Sequence, residues 1–220
     1  MYQWDFSQVW RYKEILLAGL EYTLFYTVLS IAFGLVLGLF VALGRISSPR
    51  ALGIPLRGAV ELFRCTPFLV ILIWFYYALP VLIDINLSAP MAALLALSLY
   101  GAAFYSEIIR AGIVSIDPGQ VEAAKALGMR KWQALRRVIL PQAFKRMIPP
   151  LMNQSILQLK NTSLVSVLAV PDLVYQGQLI AHETYRPLEV YTVVALAYFV
   201  VLFPATLLVQ HIENRLARSN

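Results

Sequence analysis

Charged residues are scarce in this chain of 220 residues. Asp, Glu, Lys and Arg together make up 14% of it, whereas 60% is hydrophobic. A soluble domain carries about a quarter charged residues. The deficit therefore excludes an ordinary soluble domain and indicates a membrane protein, with residues 1–220 forming a single membrane domain.

The chain is also poor in residues that build metal or nucleotide sites. Its one cysteine, Cys65, excludes an intrachain disulfide and a cysteine metal cluster. The two histidines, His182 and His211, lie far apart in sequence, so we expect no metal site. No G-x-x-x-x-G-K-[ST] segment is present, which excludes the usual phosphate-binding loop for ATP. No small-x-small pattern follows the first apolar run, so we expect no cleavable signal peptide.

Long apolar runs, by contrast, dominate the sequence. A spanning helix needs roughly 20 mostly apolar residues. Five runs approach this length, with the third able to continue past Glu107; they are residues 23–43, 66–83, 89–106, 147–170 and 191–209. The sequence therefore predicts an all-α integral membrane protein with five transmembrane helices.

The placement of Lys and Arg predicts the direction of these crossings. Positive charges near span ends accumulate on the cytoplasmic side. Fourteen of the 18 fall on one side of the predicted membrane, namely Arg45, Arg50, Arg57, Arg64, Arg110, Lys125, Arg130, Lys131, Arg136, Arg137, Lys145, Arg146, Arg215 and Arg218. Only Arg11, Lys13 and Arg186 fall on the other side, and Lys160 lies within the fourth run. We expect the N-terminus outside, the C-terminus in the cytoplasm, and no nucleic-acid partner.

The most polar loop, residues 117–146, lies between the third and fourth predicted helices on the cytoplasmic side. Asp117 is a good N-cap, Pro118 suits the first helical position, and Gln120 completes a pattern similar to a capping box. We therefore predict a first short helix that begins here.

Two further residues divide this loop. Gly128 can adopt the left-handed turn that ends a helix. A second helix should run from about Lys131 until Pro141 bends or stops it. The loop is thus predicted to be a helix-turn-helix.

Two interpretations of this loop remain open. Its basic and aromatic residues suit an amphipathic helix on anionic lipid. Its small residues, Ala123, Ala124, Ala126 and Gly128, instead allow close approach of another protein, to which Glu122 offers a charge. The pattern favours the docking interpretation.

The same residues carry a resemblance to a known family. Glu122-Ala123-Ala124, then Gly128, then Val138-Ile139-Leu140-Pro141 resembles the EAA loop of ATP-binding-cassette importer permeases, with Val138 in place of Ile. The segments "ELFRCTPFLVILIWFYYALP", "FYSEIIRAGIVSIDPGQVEAAKALGM" and "LPQAFKRMIPPLMNQSILQLKNTSLVSVLAVPDL" are similar to the polar-amino-acid branch of that family.

The resemblance implies a type I importer fold and a set of partners. These are a second permease subunit, identical or homologous, two ATPase subunits that hold ATP and Mg, and an extracytoplasmic amino-acid-binding protein. This chain would then be no enzyme, carry no cofactor, and lie in the bacterial inner membrane. The residues implied to contact the ATPase are Glu122, Ala123, Ala124, Gly128, Leu140 and Pro141.

The fourth predicted helix is too polar to face lipid on all sides. Its polar residues include Gln154, Gln158, Lys160, Asn161, Thr162, Ser163 and Ser166. They either line a path for an amino acid or join helices through hydrogen bonds. Amides and hydroxyls can bind both ends of a zwitterion, and the segment "KNTSL" matches one close to the family's pathway, so the lining role is favoured.

Three smaller patterns complete the prediction. Glu61 and Arg64, and likewise Glu107 and Arg110, are three residues apart and can form ion pairs, with a structural or gating role. Small residues at Gly34, Gly38 and Ala42 form a ridge suited to helix packing.

Two other functions stay open at this point. A membrane enzyme that uses Glu107, Arg110 or Lys160 would be active without partners. A channel would conduct without ATP.

Overall fold

The computed structural model describes residues 2–47 and 49–217, which are helical apart from short turns and the N-terminal segment. The elements, in chain order, are α1 Ser7–Arg11, α2 Lys13–Ser47, α3 Arg50–Cys65, α4 Phe68–Ile83, α5 Ala89–Val114, α6 Pro118–Ala126, α7 Lys131–Ala134, a π-turn Leu135–Ile139, α8 Leu140–Thr162, a 3₁₀ helix Ser163–Leu168, α9 Leu173–Thr184 and α10 Pro187–Ala217. Within these described ranges no residue forms a β-strand. The all-α prediction is confirmed.

In the described part of the chain, three helices are individually long and apolar enough to cross a membrane. They are α2, α5 and α10, and they contain the predicted runs 23–43, 89–106 and 191–209. Helix α5 continues past Glu107, as the sequence allowed. Two bent helix pairs raise the number of candidate crossings to as many as five.

The first bent pair joins α3 to α4. Pro67 forces the preceding Thr66 into an extended conformation, with φ −106° and ψ 132°, so the helix cannot run on. The axes of α3 and α4 consequently differ by 109°. Helix α3 therefore lies across the end of α4 rather than in line with it.

The expectation that Pro141 could stop the second loop helix is wrong. Helical structure runs from Lys131 through Leu168. At the π-turn the N–H of Leu140 bonds to the carbonyl of Leu135, five residues back. This wider turn accommodates a proline, which lacks an N–H and clashes with the carbonyl four residues back in a regular α-helix.

The predicted run 147–170 is likewise not one uniform helix. Helix α8 tightens into the 3₁₀ helix at Ser163, and the chain turns at Ala169, whose φ is +56°. The buried carboxylate of Asp172 then caps α9 by accepting hydrogen bonds from the N–H groups of Val174 and Tyr175, at 3.3 and 2.9 Å. The two halves of this segment meet at 47°.

The packing of α2 against α5 forms the centre of the subunit. Gly34 and Gly38 on α2 face Tyr105 and Ala102 on α5, and Ala42, one turn further along α2, is fully buried. The predicted packing role of this small-residue ridge is confirmed. A side chain at Gly38 would lie too close to Tyr105 and Ala102 for the two helices to keep their present separation.

A polar cluster fixes the N-terminal segment to the start of α10. The buried Glu189 accepts hydrogen bonds from the Tyr2 hydroxyl at 2.5 Å and from the Asp5 N–H at 3.1 Å. Arg186 forms an ion pair with the same carboxylate at 2.8 Å. The hydrogen bond to Glu189 raises the pKa of Tyr2, because it favours the protonated hydroxyl.

We expect Gly38→Ala to destabilise the subunit by about 1–3 kcal/mol, the range for overpacking a close contact. The added Cβ would lie 2.9 Å from the Tyr105 Cβ and 3.0 Å from the Ala102 carbonyl oxygen. The control is Gly58→Ala, whose Cβ meets nothing within 4 Å. Thermal unfolding in detergent measures the effect, and equal melting temperatures for the two variants would contradict the prediction.

Candidate coupling surface and translocation site

The first loop helix, α6, begins as predicted. Asp117 is its N-cap, and its carboxylate accepts a hydrogen bond from the Gly119 N–H at 2.7 Å, with Pro118 in the first helical position. Gln120 makes a different contact from the predicted capping box. Its side-chain oxygen accepts a hydrogen bond from Gln142 at 3.2 Å. Gln120 therefore connects α6 to α8.

The end of α6 is a Schellman motif centred on Gly128. The N–H of Gly128 bonds to the carbonyl of Lys125 at 2.9 Å, and the N–H of Met129 bonds to that of Ala124 at 3.0 Å. This arrangement requires a left-handed residue, and Gly128 has φ +74°. The predicted turn is confirmed, and it sets the direction in which the chain enters α7.

The exposed surface of the loop differs in one position from the predicted one. Glu122, Ala123 and Gly128 are exposed, but Ala124 is only 3% exposed. Neighbouring residues on a helix point in different directions, and α6 packs against α7 and the π-turn segment. The outward surface includes instead a residue that the motif did not indicate, Leu127, which is 78% exposed.

The remaining two family positions, Leu140 and Pro141, are exposed at the start of α8. A side-chain contact also ties this end of α8 back to the loop entrance, because an Arg146 N–H bonds to the carbonyl of Ser115 and lies 3.2 Å from its hydroxyl. The loop and α8 are thus joined both by continuous helix and by side chains.

The polar residues of the fourth predicted helix divide into two sets. Gln154, Gln158, Thr162 and Ser166 are buried inside the subunit. Lys160 is exposed, and Asn161 and Ser163 are half-buried. Only the second set is accessible from outside this subunit in the observed conformation.

Gln158 joins three helices. Its amide donates hydrogen bonds to the Leu97 carbonyl on α5 at 2.7 Å and to the Ser30 hydroxyl on α2 at 3.3 Å. Gly101 makes room for this amide, since a Cβ there would lie 3.2 Å from its nitrogen. These contacts are those of a residue that holds helices together.

Thr162 and Ser166 bond within their own segment. The Thr162 hydroxyl donates to the Leu159 carbonyl at 2.6 Å, and that of Ser166 donates to the Ser163 carbonyl at 2.8 Å. The hydroxyl of Ser163 donates to the Lys160 carbonyl in the same way, at 2.7 Å, so burial and not hydrogen bonding separates Thr162 and Ser166 from Ser163.

Both predicted ion pairs are present. One joins Glu61 and Arg64 on α3, and the other joins Glu107 and Arg110 near the C-terminal end of α5. Arg64 lies 3.1 Å from Glu61, and Arg110 contacts Glu107 through two of its nitrogens. A third arginine, Arg45 at the end of α2, also binds Glu107 at 2.7 Å and is only 8% exposed. The sequence offered no spacing signal for this contact, which joins residues 62 positions apart.

Among residues 2–47 and 49–217, no three His, Cys, Asp or Glu side chains are grouped so that they could hold a metal ion.

Two features of the described structure call for a functional explanation. One is an exposed helical loop, and the other is a partly exposed polar strip on the helix that continues from it.

Comparison with known proteins identifies the family that this chain matches. Residues 34–218 match the family described as "Binding-protein-dependent transport system inner membrane component". The match covers the ridge, the loop and the polar segment.

Individual relatives resemble the whole chain. It is 37% identical to the glutamate/aspartate import permease protein GltK of Escherichia coli O6:H1, covering 99% of this chain and 100% of the relative. It is 35% identical to the glutamine transport system permease protein GlnP of Escherichia coli K12, covering 97% and 98%. It is 40% identical to the probable glutamine transporter permease GlnM of Bacillus subtilis 168, covering 91% and 93%.

Solved structures resemble its fold. A chain in the crystal structure of an amino acid ABC transporter with histidines superposes with a TM-score of 0.91 at 38% identity, covering 97% of this chain and 100% of that one. A chain of the inward-facing MetNI methionine transporter shares the fold at 21% identity, with a TM-score of 0.68 and coverage of 91% and 97%.

Proposed function

Because the chain belongs to the family of binding-protein-dependent transport system inner membrane components, we propose that it forms the amino-acid pathway of an ATP-driven importer in the bacterial inner membrane. It is a permease subunit and not itself an enzyme, since ATP hydrolysis in this family resides in a separate ATPase subunit. The relatives named for glutamate, aspartate and glutamine support an amino acid as the substrate.

The observation that carries the proposal is the uninterrupted helical segment from Lys131 to Leu168. At roughly 1.5 Å per residue it extends about 57 Å. One end begins at the exposed loop, and the other contains Lys160, Asn161 and Ser163. Such an element can transmit a displacement of the loop to the polar strip, because its helical structure continues through the π-turn and into the 3₁₀ helix.

The proposed assembly follows from the family and from the exposed surfaces. A second permease subunit, identical or homologous, would complete the pathway. Two ATPase subunits would bind the loops of the two permeases, and an outer binding protein would deliver the amino acid. ATP and Mg would be bound by the ATPases and not by this chain.

We further propose five crossings with the N-terminus outside. They are α2, α4, α5, the broken segment α8–α9, and α10. Helix α4 is about 24 Å long, shorter than a hydrocarbon core of about 30 Å. The amphipathic α3, at 109° to α4, would complete this crossing by lying in the bilayer plane at the interface.

Within the pathway we assign substrate contact to Lys160, Asn161 and Ser163. The Lys160 ammonium and the Asn161 amide offer donors to a carboxylate, and the Asn161 and Ser163 oxygens offer acceptors to an ammonium group. Gln154, Gln158, Thr162 and Ser166 would support these residues from inside the subunit rather than line the pathway directly.

The orientation predicts the location of the two termini. Met1 and Asn220 lie outside the described residues, and the expectation rests on the charge distribution alone. A reporter fused after Asn220 should be cytoplasmic, and a tag before Met1 should be accessible outside intact cells. A C-terminal reporter that is active only outside would reverse the proposed topology.

The docking loop predicts that Ala123→Asp abolishes coupling. Ala123 is exposed on α6, and an added carboxylate would insert an unpaired charge into a close contact, a cost of several kcal/mol. Co-purification of the ATPase and substrate-stimulated ATP hydrolysis in vesicles should both fall at least about tenfold, whereas Ala123→Ser should retain them. Full coupling in the Asp variant would exclude this loop as the docking element and favour its placement on lipid.

The polar strip predicts different effects for two adjacent residues. Asn161→Leu should lower uptake about tenfold, the effect of losing roughly 1.4 kcal/mol of substrate contact. Thr162→Val should leave uptake within about twofold, because Thr162 is fully buried inside the subunit and its hydroxyl donates to the Leu159 carbonyl. Uptake into vesicles, normalised to the assembled complex, is the measurement. Normal transport by Asn161→Leu would remove that residue from the pathway.

A further inference from the structure

A polar cavity of about 500 Å³ opens where α2, α3 and α5 meet. It lies within the roughly 300–1,000 Å³ range of small-molecule sites. Its lining combines three arginines and two glutamates with Gly53 and Ile54; the charged residues are Arg45, Arg57, Glu61, Glu107 and Arg110. None of these residues is among those assigned above to substrate contact or to the ATPase.

The charges around the cavity do not balance. Glu107 is shared by Arg45 and Arg110, and Glu61 is already paired with Arg64. Arg57 has no ion pair with any described residue. The site therefore carries an excess of positive charge, and a carboxylate or phosphate would neutralise it.

Part of the cavity wall consists of arginine N–H donors that contacts within the protein hold in place. Arg45 is only 8% exposed and is held by its 2.7 Å contact with Glu107. A guanidinium has five N–H donors, so Arg45 and Arg110 keep free donors after binding Glu107. Arg57 is exposed, so it can turn towards a ligand that enters from the membrane surface.

The position of α3 indicates which anion reaches the cavity. One side of this helix is apolar and another is basic. Its axis lies at 109° to that of α4, so it crosses the end of α4. Such a helix occupies the interface between headgroups and acyl chains. With the orientation proposed above, on which this step rests, that interface belongs to the cytoplasmic leaflet.

We propose that the cavity binds the phosphodiester headgroup of an anionic phospholipid of the cytoplasmic leaflet. Basic pockets between membrane helices on this side are suited to such headgroups. Ile54 lines the cavity and is 69% exposed, so it offers an apolar contact for the acyl chain. A free phosphate ion would gain the charge contacts but not this apolar contact.

Native mass spectrometry of the complete importer tests the proposal. The complex is loaded with phosphatidylglycerol in a phosphatidylcholine background, and the phosphatidylglycerol retained is titrated. Arg57→Gln should weaken its binding about fivefold, the effect of one basic residue near anionic lipid. Arg57→Lys should largely restore binding. The control is Arg215→Gln, which removes an exposed charge from the last turn of α10 and should leave binding unchanged.

Three results would overturn the proposal. Unchanged phosphatidylglycerol retention in Arg57→Gln would exclude the cavity as its site. An equal loss in Arg215→Gln would mean that only the general surface charge matters. Displacement of the lipid by an excess of inorganic phosphate would identify the site as one for free anions. Because the readout is lipid retention, it stands apart from any failure of the importer to transport amino acids.

Discussion

The close contact between α2 and α5 is the constraint on which the rest of the subunit depends. Without side chains at Gly34 and Gly38, the two helices approach closely, and Tyr105 fills the space against them. The same approach brings Ser30 and Leu97 near enough for the single amide of Gln158 to reach both. At the other end of the helix pair it brings Arg45 to Glu107. Three separate sites thus share one geometric origin.

Features with a local physical cause could be predicted from the sequence. Continuous apolar runs predicted α2, α5 and α10, because a bilayer requires long apolar helices. Asp117 and Gly128 predicted the ends of α6, because an N-cap and a left-handed turn depend on one or two residues. The ion pairs within α3 and α5 were predicted because three-residue spacing places side chains on one helix face.

Features that depend on distant packing could not be predicted in this way. Arg45 was visible only as a topology signal, since its partner is brought near by the fold. The burial of Ala124 depends on how α6 turns towards the following segment, which a motif does not specify. Pro141 was expected to bend or stop the helix, because no residue pattern indicates that a π-turn precedes it and removes the clash.

The two polar sets of α8 and the following 3₁₀ helix acquire distinct roles when they are considered along one continuous segment. Gln158 fixes the helix to α2 and α5 at membrane depth, where few other partners are available for its amide. Asn161 and Ser163 follow within about one and a half turns, and the proposed docking loop lies at the opposite end. In the proposed mechanism, a displacement of the loop would be carried along this helix to the accessible residues, past the point where Gln158 holds it to α2 and α5. A buried amide with no direct substrate contact would then determine how loop movement becomes a change at the polar strip.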